Sequence, residues 1–177
     1  MARSSAVKEI KTRADVGLER NILRVLVRQK RTLAVAESCT GGYIAHKLTN
    51  VPGASAVFLG GVVSYSNEAK RKFLGVRAKT LTARGAVSEA VASEMAEGAR
   101  KRFGADFGIA VTGIAGPSGG TKGKPVGTVF MAVAGPFKTI VKSELNCYER
   151  VNFKRVTSQQ ALLLLRSKLT KSGTVCA

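Results

Sequence analysis

The chain has 177 residues, 45% of them hydrophobic and 23% charged, which suits one domain with a buried core and excludes wholesale disorder. Its 29 Lys and Arg against 11 Asp and Glu give a formal charge of +18. Such a field attracts anions in general, from phosphorylated metabolites to nucleic acid and acidic membrane, without choosing among them. Apolar runs such as Ala161 to Leu165 are far short of the ~20 residues a membrane helix needs, and a single histidine, His46, forbids a histidine-cluster metal site.

The three cysteines, Cys39, Cys147 and Cys176, are odd in number and widely spaced. Neither a disulfide framework nor a zinc site is expected, and a reducing cytoplasm is the expected compartment. The start, Met1-Ala-Arg-Ser-Ser-Ala, lacks the apolar core of a secretory signal, and Glu9 and Asp15 weigh against an organellar-import segment. Residues 1–31, 32–137 and 138–177 each carry a net charge of +6, so both ends are denser in positive charge than the middle. We expect a single domain over 1–177, with a basic tail at 1–15 and a second tail at 170–177.

Asp15 to Lys30 reads as an amphipathic helix, with Leu18, Ile22, Val25 and Leu26 at helical spacing. Thr32 to Glu37 is a short strand that runs into Ser38-Cys-Thr-Gly-Gly, and Tyr43 to Leu48 is helical. Val57 to Ser66 is a second strand. Asn67 is the expected cap of the helix that follows. Ser88 caps a helix to about Phe103, with Val91, Met95 and Ala99 on one stripe. Asp106 to Thr112 is a third strand, followed by a loop with five glycines. Gly127 to Val133 and Thr139 to Leu145 flank the turn Gly135-Pro136, an antiparallel hairpin. Arg150 to Leu169 closes the chain as a helix. The order α-β-α-β-α-α-β-β-β-α predicts a three-layer α/β/α sandwich with a mixed, mostly parallel sheet.

In open α/β sheets ligands bind beyond the carboxyl ends of the strands, and three such ends are polar or glycine-rich: 37–42, 64–70 and 112–117. Adjacent strands would merge them into one crevice. Ser38 stands where a strand meets a helix, near backbone N–H groups and the positive end of the helix dipole. That place serves an oxyanion or a phosphate, or leaves Ser38 as an ordinary helix cap. A serine nucleophile needs a base. His46 lies about eight residues along the same helix, roughly 12 Å at 1.5 Å per residue, too far to serve. Lys70 is the better candidate, provided that burial or neighbouring cations lower its pKa; the alternative is a solvated face shared with Arg71 and Lys72. The third loop, through Lys122 and Lys124, is not a P-loop, because Ser118 and Pro125 stand where that motif needs glycine and Ser/Thr. It is either an anion cradle of backbone amides and lysines or a surface loop.

Together these segments resemble the CinA C-terminal domain family, also known as the PncC-type nicotinamide-nucleotide amidases. The matching stretches are AESCTGG (36–42), VPGAS (51–55), YSNEAK (65–70), GAVSEAVASEMAEGAR (85–100) and TGIAGPSGGTKGKPVGTV (112–129). The resemblance implies a three-layer fold, a homodimer, and hydrolysis of the carboxamide of nicotinamide mononucleotide to nicotinate mononucleotide and ammonia, with no metal and no cofactor. Carried over by motif, Ser38 is the nucleophile, Lys70 the base, Tyr65 a helper and Thr112 the completing residue. Thr40, Gly41, Gly42, Gly113, Gly116, Gly119, Gly120, Thr121 and Arg150 form the expected substrate-binding set. One segment departs: where the family has a Phe-x-Gly-Asp-Arg type sequence, this chain has Asn146-Cys147-Tyr148-Glu149-Arg150. Arg150 matches, and the glycine is replaced by Tyr148.

Two other readings stand beside the amidase. A non-catalytic binder of nucleotides or nucleic acid is favoured by the charge, while the 6% aromatic content and the complete Ser/Tyr/Lys/Thr set weigh against it. An amidase acting on another small amide is the third. No membrane partner is expected.

Overall fold

The computed structural model describes residues 17–171, with the side chain of Lys171 excepted. The expected tail at 1–15 lies outside the described residues, as do residues 172–177 of the second tail. Residues 170 and 171 are helical. The elements in order are α1 (Leu18–Gln29), β1 (Leu33–Glu37), α2 (Tyr43–Thr49), a single 3-10 turn (Ala54–Ala56), β2 (Phe58–Val63), α3 (Asn67–Leu74), α4 (Ala78–Arg84), α5 (Glu89–Phe103), β3 (Phe107–Gly113), β4 (Thr128–Ala134), β5 (Ile140–Leu145) and α6 (Arg150–Lys171).

The sheet order is β2-β1-β3-β4-β5. β1 pairs in parallel with β2 and β3, while β4 runs antiparallel to both β3 and β5. The result is the expected three-layer α/β sandwich with a parallel core and a hairpin that makes the sheet mixed. Side-chain alternation along each strand sorts the two faces. Leu33, Val35, Ile109, Val111 and Met131 pack with α1, α2 and α6, where Leu162 and Leu165 are fully buried. Ala34, Ala36, Ala110 and Ala132 face α5 with Val91, Met95 and Ala99. Among the described residues no helix is long and apolar enough to cross a membrane.

The alanine face lets α5 lie very close to its neighbours. A Cβ on Gly108 would come within 2.1 Å of the Ala96 carbonyl oxygen, and one on Gly98 within 1.9 Å of the Leu74 carbonyl oxygen. Helix propensity alone gives Gly98→Ala a gain of about 1 kcal/mol. The clash with α3 backbone reverses that sign, because overpacking costs about 1–3 kcal/mol and more where backbone must move. Gly98→Ala is therefore expected to lower the denaturant midpoint; an unchanged or raised midpoint would contradict this packing.

Two local expectations are corrected. Ser66, not Asn67, caps α3: its hydroxyl accepts from the Ala69 amide at 3.0 Å. Helix α4, which raises the number of helices among the described residues to six, has no signature in the sequence, since Arg77 makes no side-chain cap and Thr80 is its only buried residue. It is held from outside, by the Glu94 carboxylate of α5, which accepts from the Arg77 amide at 2.9 Å and from the Thr80 hydroxyl at 2.8 Å.

Candidate active site

Because β2, β1 and β3 are neighbours, the three strand ends meet. Pairing continues past the strands: the Ser38 amide donates to the Val111 carbonyl at 3.1 Å and the Ser64 amide to the Glu37 carbonyl at 2.8 Å. Between them lies a cavity of about 220 Å³ whose lining includes Ser38, Cys39, Tyr65, Lys70, Thr112 and Arg150. A larger open hollow of about 480 Å³ runs along α3 past Arg71 and Lys72, and it contains neither member of the buried pair described next.

Ser38 and Lys70 are 8% and 1% exposed. Lys70 leaves the first turn of α3 and folds back under the strand ends, where its Nζ donates to Ser38 Oγ at 3.0 Å and to the Ser64 carbonyl at 2.7 Å. Neither acceptor is an anion. Burial holds the Lys70 ammonium below the ordinary lysine pKa, since removal from water disfavours the charged form. Arg71 and Lys72, by contrast, are exposed, so the three cations in a row do not share one face. Cys39 lies beside the pair, and burial pushes its thiol up to about 12. It stays protonated, which leaves Ser38 as the group with an adjacent base.

The turn after Ser38 is fixed by Glu37. Its buried carboxylate accepts from the amides of Gly42 at 3.0 Å, Ile44 at 3.1 Å and Ala45 at 2.9 Å. This corrects one expectation: the start of α2 does not offer those amides to a ligand, because the chain's own carboxylate occupies them. Gly41 and Gly42 adopt φ of +60° and +95° to make the turn, a conformation that glycine enters without steric cost.

Thr112 is 1% exposed and lines the cavity, and its hydroxyl donates to the Ala86 carbonyl at 2.8 Å, which leaves its oxygen as an acceptor. Arg150, at the start of α6, donates to the Gly116 carbonyl at 2.9 Å and to the Tyr65 hydroxyl at 2.5 Å. It thereby ties the β2 end, the glycine loop and α6 together at the cavity mouth. Tyr65 is 61% exposed and bonds Arg150, not Ser38 or Lys70. Gly113 lines the cavity. Thr40, Gly41, Gly42, Gly116, Gly119, Gly120 and Thr121 do not. The loop's Lys124 is turned away, its Nζ donating to the Arg84 carbonyl at 2.7 Å.

The altered segment before α6 has its own anchor. Asn146 is buried, its amide nitrogen donating to Thr157 Oγ1 at 3.0 Å and to Gln160 Oε1 at 2.7 Å, and its backbone N–H donating to the Gly127 carbonyl at 2.8 Å. Tyr148 points outward, 53% exposed, and Arg150 keeps its place. Asn67 and Ala115 line the cavity within the strand-end segments 64–70 and 112–117, as expected, whereas Ala86 and Val87, and the role of Glu37, are not singled out by the sequence. Ala86 and Val87 stand in the GAVSEA stretch, which is the available signal; Lys154, one turn after Arg150, lies with its Nζ 3.5 Å from where a Gly41 Cβ would be.

The fold and cavity thus define a three-layer α/β protein with a buried serine–lysine pair at the carboxyl ends of its parallel strands. Residues 15–169 match the family described as "CinA C-terminal domain", and the chain belongs to that family. It is 54% identical over 141 residues to a "Putative competence-damage inducible protein" of Moorella thermoacetica, covering 80% of this chain and 34% of that one. It is 56% identical over 119 residues to a CinA-like protein of Thermotoga maritima, covering 67% and 29%. The chain therefore spans about a third of the length of the curated relatives it matches. Among solved structures, the competence/damage inducible protein CihA of Agrobacterium tumefaciens superposes with a TM-score of 0.83 at 40% identity, covering 90% of this chain and 99% of that one. The competence damage-inducible protein A of Klebsiella pneumoniae does so with a TM-score of 0.84 at 40% identity, covering 86% and 95%.

Proposed function

We propose that this chain hydrolyses the carboxamide of nicotinamide mononucleotide, releasing nicotinate mononucleotide and ammonia, through Ser38 as nucleophile and Lys70 as base. The observation that carries the reading is the 3.0 Å contact of Lys70 Nζ with Ser38 Oγ inside a cavity lined by both, with the amine's pKa lowered by burial. Neutral Lys70 takes the Ser38 proton, and Oγ attacks the carboxamide carbon. The resulting ammonium returns its proton to the departing nitrogen, which leaves as ammonia. Water, activated by the same amine, then cleaves the ester and frees Ser38. The Gly41 and Gly42 amides are engaged by the Ser38 carbonyl and Glu37, so the amide of cavity-lining Cys39 is the turn donor that stabilises the oxyanion, and Thr112, with its proton engaged by Ala86, accepts from the carboxamide nitrogen.

A cavity of about 220 Å³ accommodates the pyridine carboxamide and leaves the ribose phosphate at the mouth. There Arg150, whose fork has donors beyond the two now engaged, meets the phosphate, with Lys154 a turn further on. The test compares nicotinamide mononucleotide with its riboside. Arg150→Ala is expected to raise KM for the mononucleotide by about 10- to 100-fold, the worth of a charged hydrogen bond of roughly 1.5–3 kcal/mol, and to change KM for the riboside little. Equal effects on both substrates would remove Arg150 from phosphate recognition. Turnover of free nicotinamide as readily as of the nucleotide would favour another small amide.

A further inference from the structure

The end of the molecule opposite the cavity is built from cations on four separate segments. Arg28, Lys30 and Arg31 lie where α1 runs into β1, and Arg100, Lys101 and Arg102 where α5 runs into β3. Lys138 is in the β4–β5 turn, and Arg166 and Lys168 are in the last turns of α6. Hydrogen bonds hold these segments against one another. Arg31 and Arg100 both bond Asp106, at 2.5 Å and 3.0 Å. Gln29 of α1 donates to the Leu169 carbonyl at 3.2 Å, and Lys168 to the Lys138 carbonyl at 2.5 Å. Lys168 titrates below the ordinary lysine pKa, through burial first and the Lys138 charge second.

Cations near helix C-termini ordinarily offset the helix dipole, but each end carries only about half a negative unit. Three helices end here. Nine cations far exceed that requirement. Among the described residues the carboxylates nearby are Asp106, already bonded to Arg31, and Glu97, which accepts from the Thr139 hydroxyl at 3.0 Å. Lys30 also holds a left-handed backbone, φ +53°, at a helix end where glycine is the default residue. At the tip of the β4–β5 turn Phe137 is 95% exposed, an aromatic ring set among the charges.

We propose that this pole binds single-stranded nucleic acid, with phosphates on the arginine and lysine rim and an unpaired base stacked on Phe137. Arginine forks match phosphate oxygens, and an exposed ring gives any unpaired base a stacking platform. A bilayer would also meet the charge, but the apolar elements here are two separate rings, Phe137 in a tight turn and Phe73 under Arg102, not the broad apolar face that seats in a membrane interface. The strands separate the pole from the cavity by about 17 Å, five residues at ~3.3 Å each, so both ends can be occupied together.

The experiment is fluorescence anisotropy of a labelled 20-nucleotide oligothymidylate with the full chain. Engagement of about five phosphates, at ~0.7 per phosphate in the salt slope, weakens binding about 100-fold between 50 and 200 mM NaCl. The combined variant Lys30→Gln, Lys101→Gln, Arg102→Gln and Lys138→Gln is expected to bind at least 30-fold more weakly with a flattened salt slope. A charge-matched control, Lys79→Gln, Arg84→Gln, Lys122→Gln and Arg155→Gln, is expected to change affinity less than 3-fold. Phe137→Ser should weaken binding several-fold and leave the salt slope intact. Absence of binding at 50 mM salt, equal losses in the two charge variants, or binding to vesicles with 30% phosphatidylserine but not to the oligonucleotide would each overturn the proposal. Amide hydrolysis is read in parallel and stays at the parental rate in the pole variants whichever way the binding result falls.

Discussion

Ser38→Ala is expected to fold as the parent does and to lose about 10⁴-fold or more of amide hydrolysis, the scale on which removal of a serine nucleophile acts elsewhere. Folding is preserved because the side chain contributes one hydroxyl at the cavity wall, while the turn that carries it is held independently by the three amides bonded to Glu37 and by the Ser38 amide on Val111. Rate is lost because no neighbouring group can replace it. Cys39 is adjacent in sequence, yet its thiol, pushed up to about 12 by burial, supplies almost no thiolate at neutral pH. A variant with parental turnover and an unchanged circular dichroism spectrum would remove Ser38 from the chemistry.

Lys70→Met is expected to cost activity on a similar scale and also to change how stability depends on pH. Only the neutral amine can accept the Ser38 proton, so kcat/KM of the parent should rise with pH along a limb whose midpoint lies below the ordinary 10.5 of lysine. The same lowered pKa acts on folding. Between the folded pKa and the unfolded value near 10.5, the unfolded chain binds more protons than the folded one, so parental stability rises with pH across that interval. A thioether in place of the amine cannot titrate. The stability of the Lys70→Met variant relative to the parent should therefore be most favourable below the folded pKa and shrink as pH rises through the interval. Parallel pH–stability curves for the two proteins would mean that Lys70 is not held below its usual pKa.

What can be read in the sequence is whatever local chemistry determines. Strand ends announce themselves by a shift from Val, Leu and Ala to Ser, Thr and Gly, and the Ser88 cap of α5 follows from its position before an apolar stripe. What stays hidden depends on distant partners. Helix α4 has no cap and one buried residue; it exists because Glu94, in another helix, bonds Arg77 and Thr80. Glu37 sits between a strand and a polar turn, and nothing local distinguishes a catalytic carboxylate from one that closes the following helix. The glycine loop at 116–123 reads as either an anion cradle or a surface loop, because composition carries no direction, and the folded loop points Lys124 at Arg84. Asn146 looks like a break in the pattern. Its bonds to Thr157 and Gln160 show a different way to anchor the same turn.

The most direct test of the proposed reaction is ammonia release from nicotinamide mononucleotide by the purified chain, with nicotinate mononucleotide measured in the same samples. Equimolar appearance of the two products, faster as pH rises toward the range where Lys70 is neutral, is the expected result. A folded protein that releases neither product at any pH, or releases ammonia equally fast with Ser38 replaced by alanine, would contradict it.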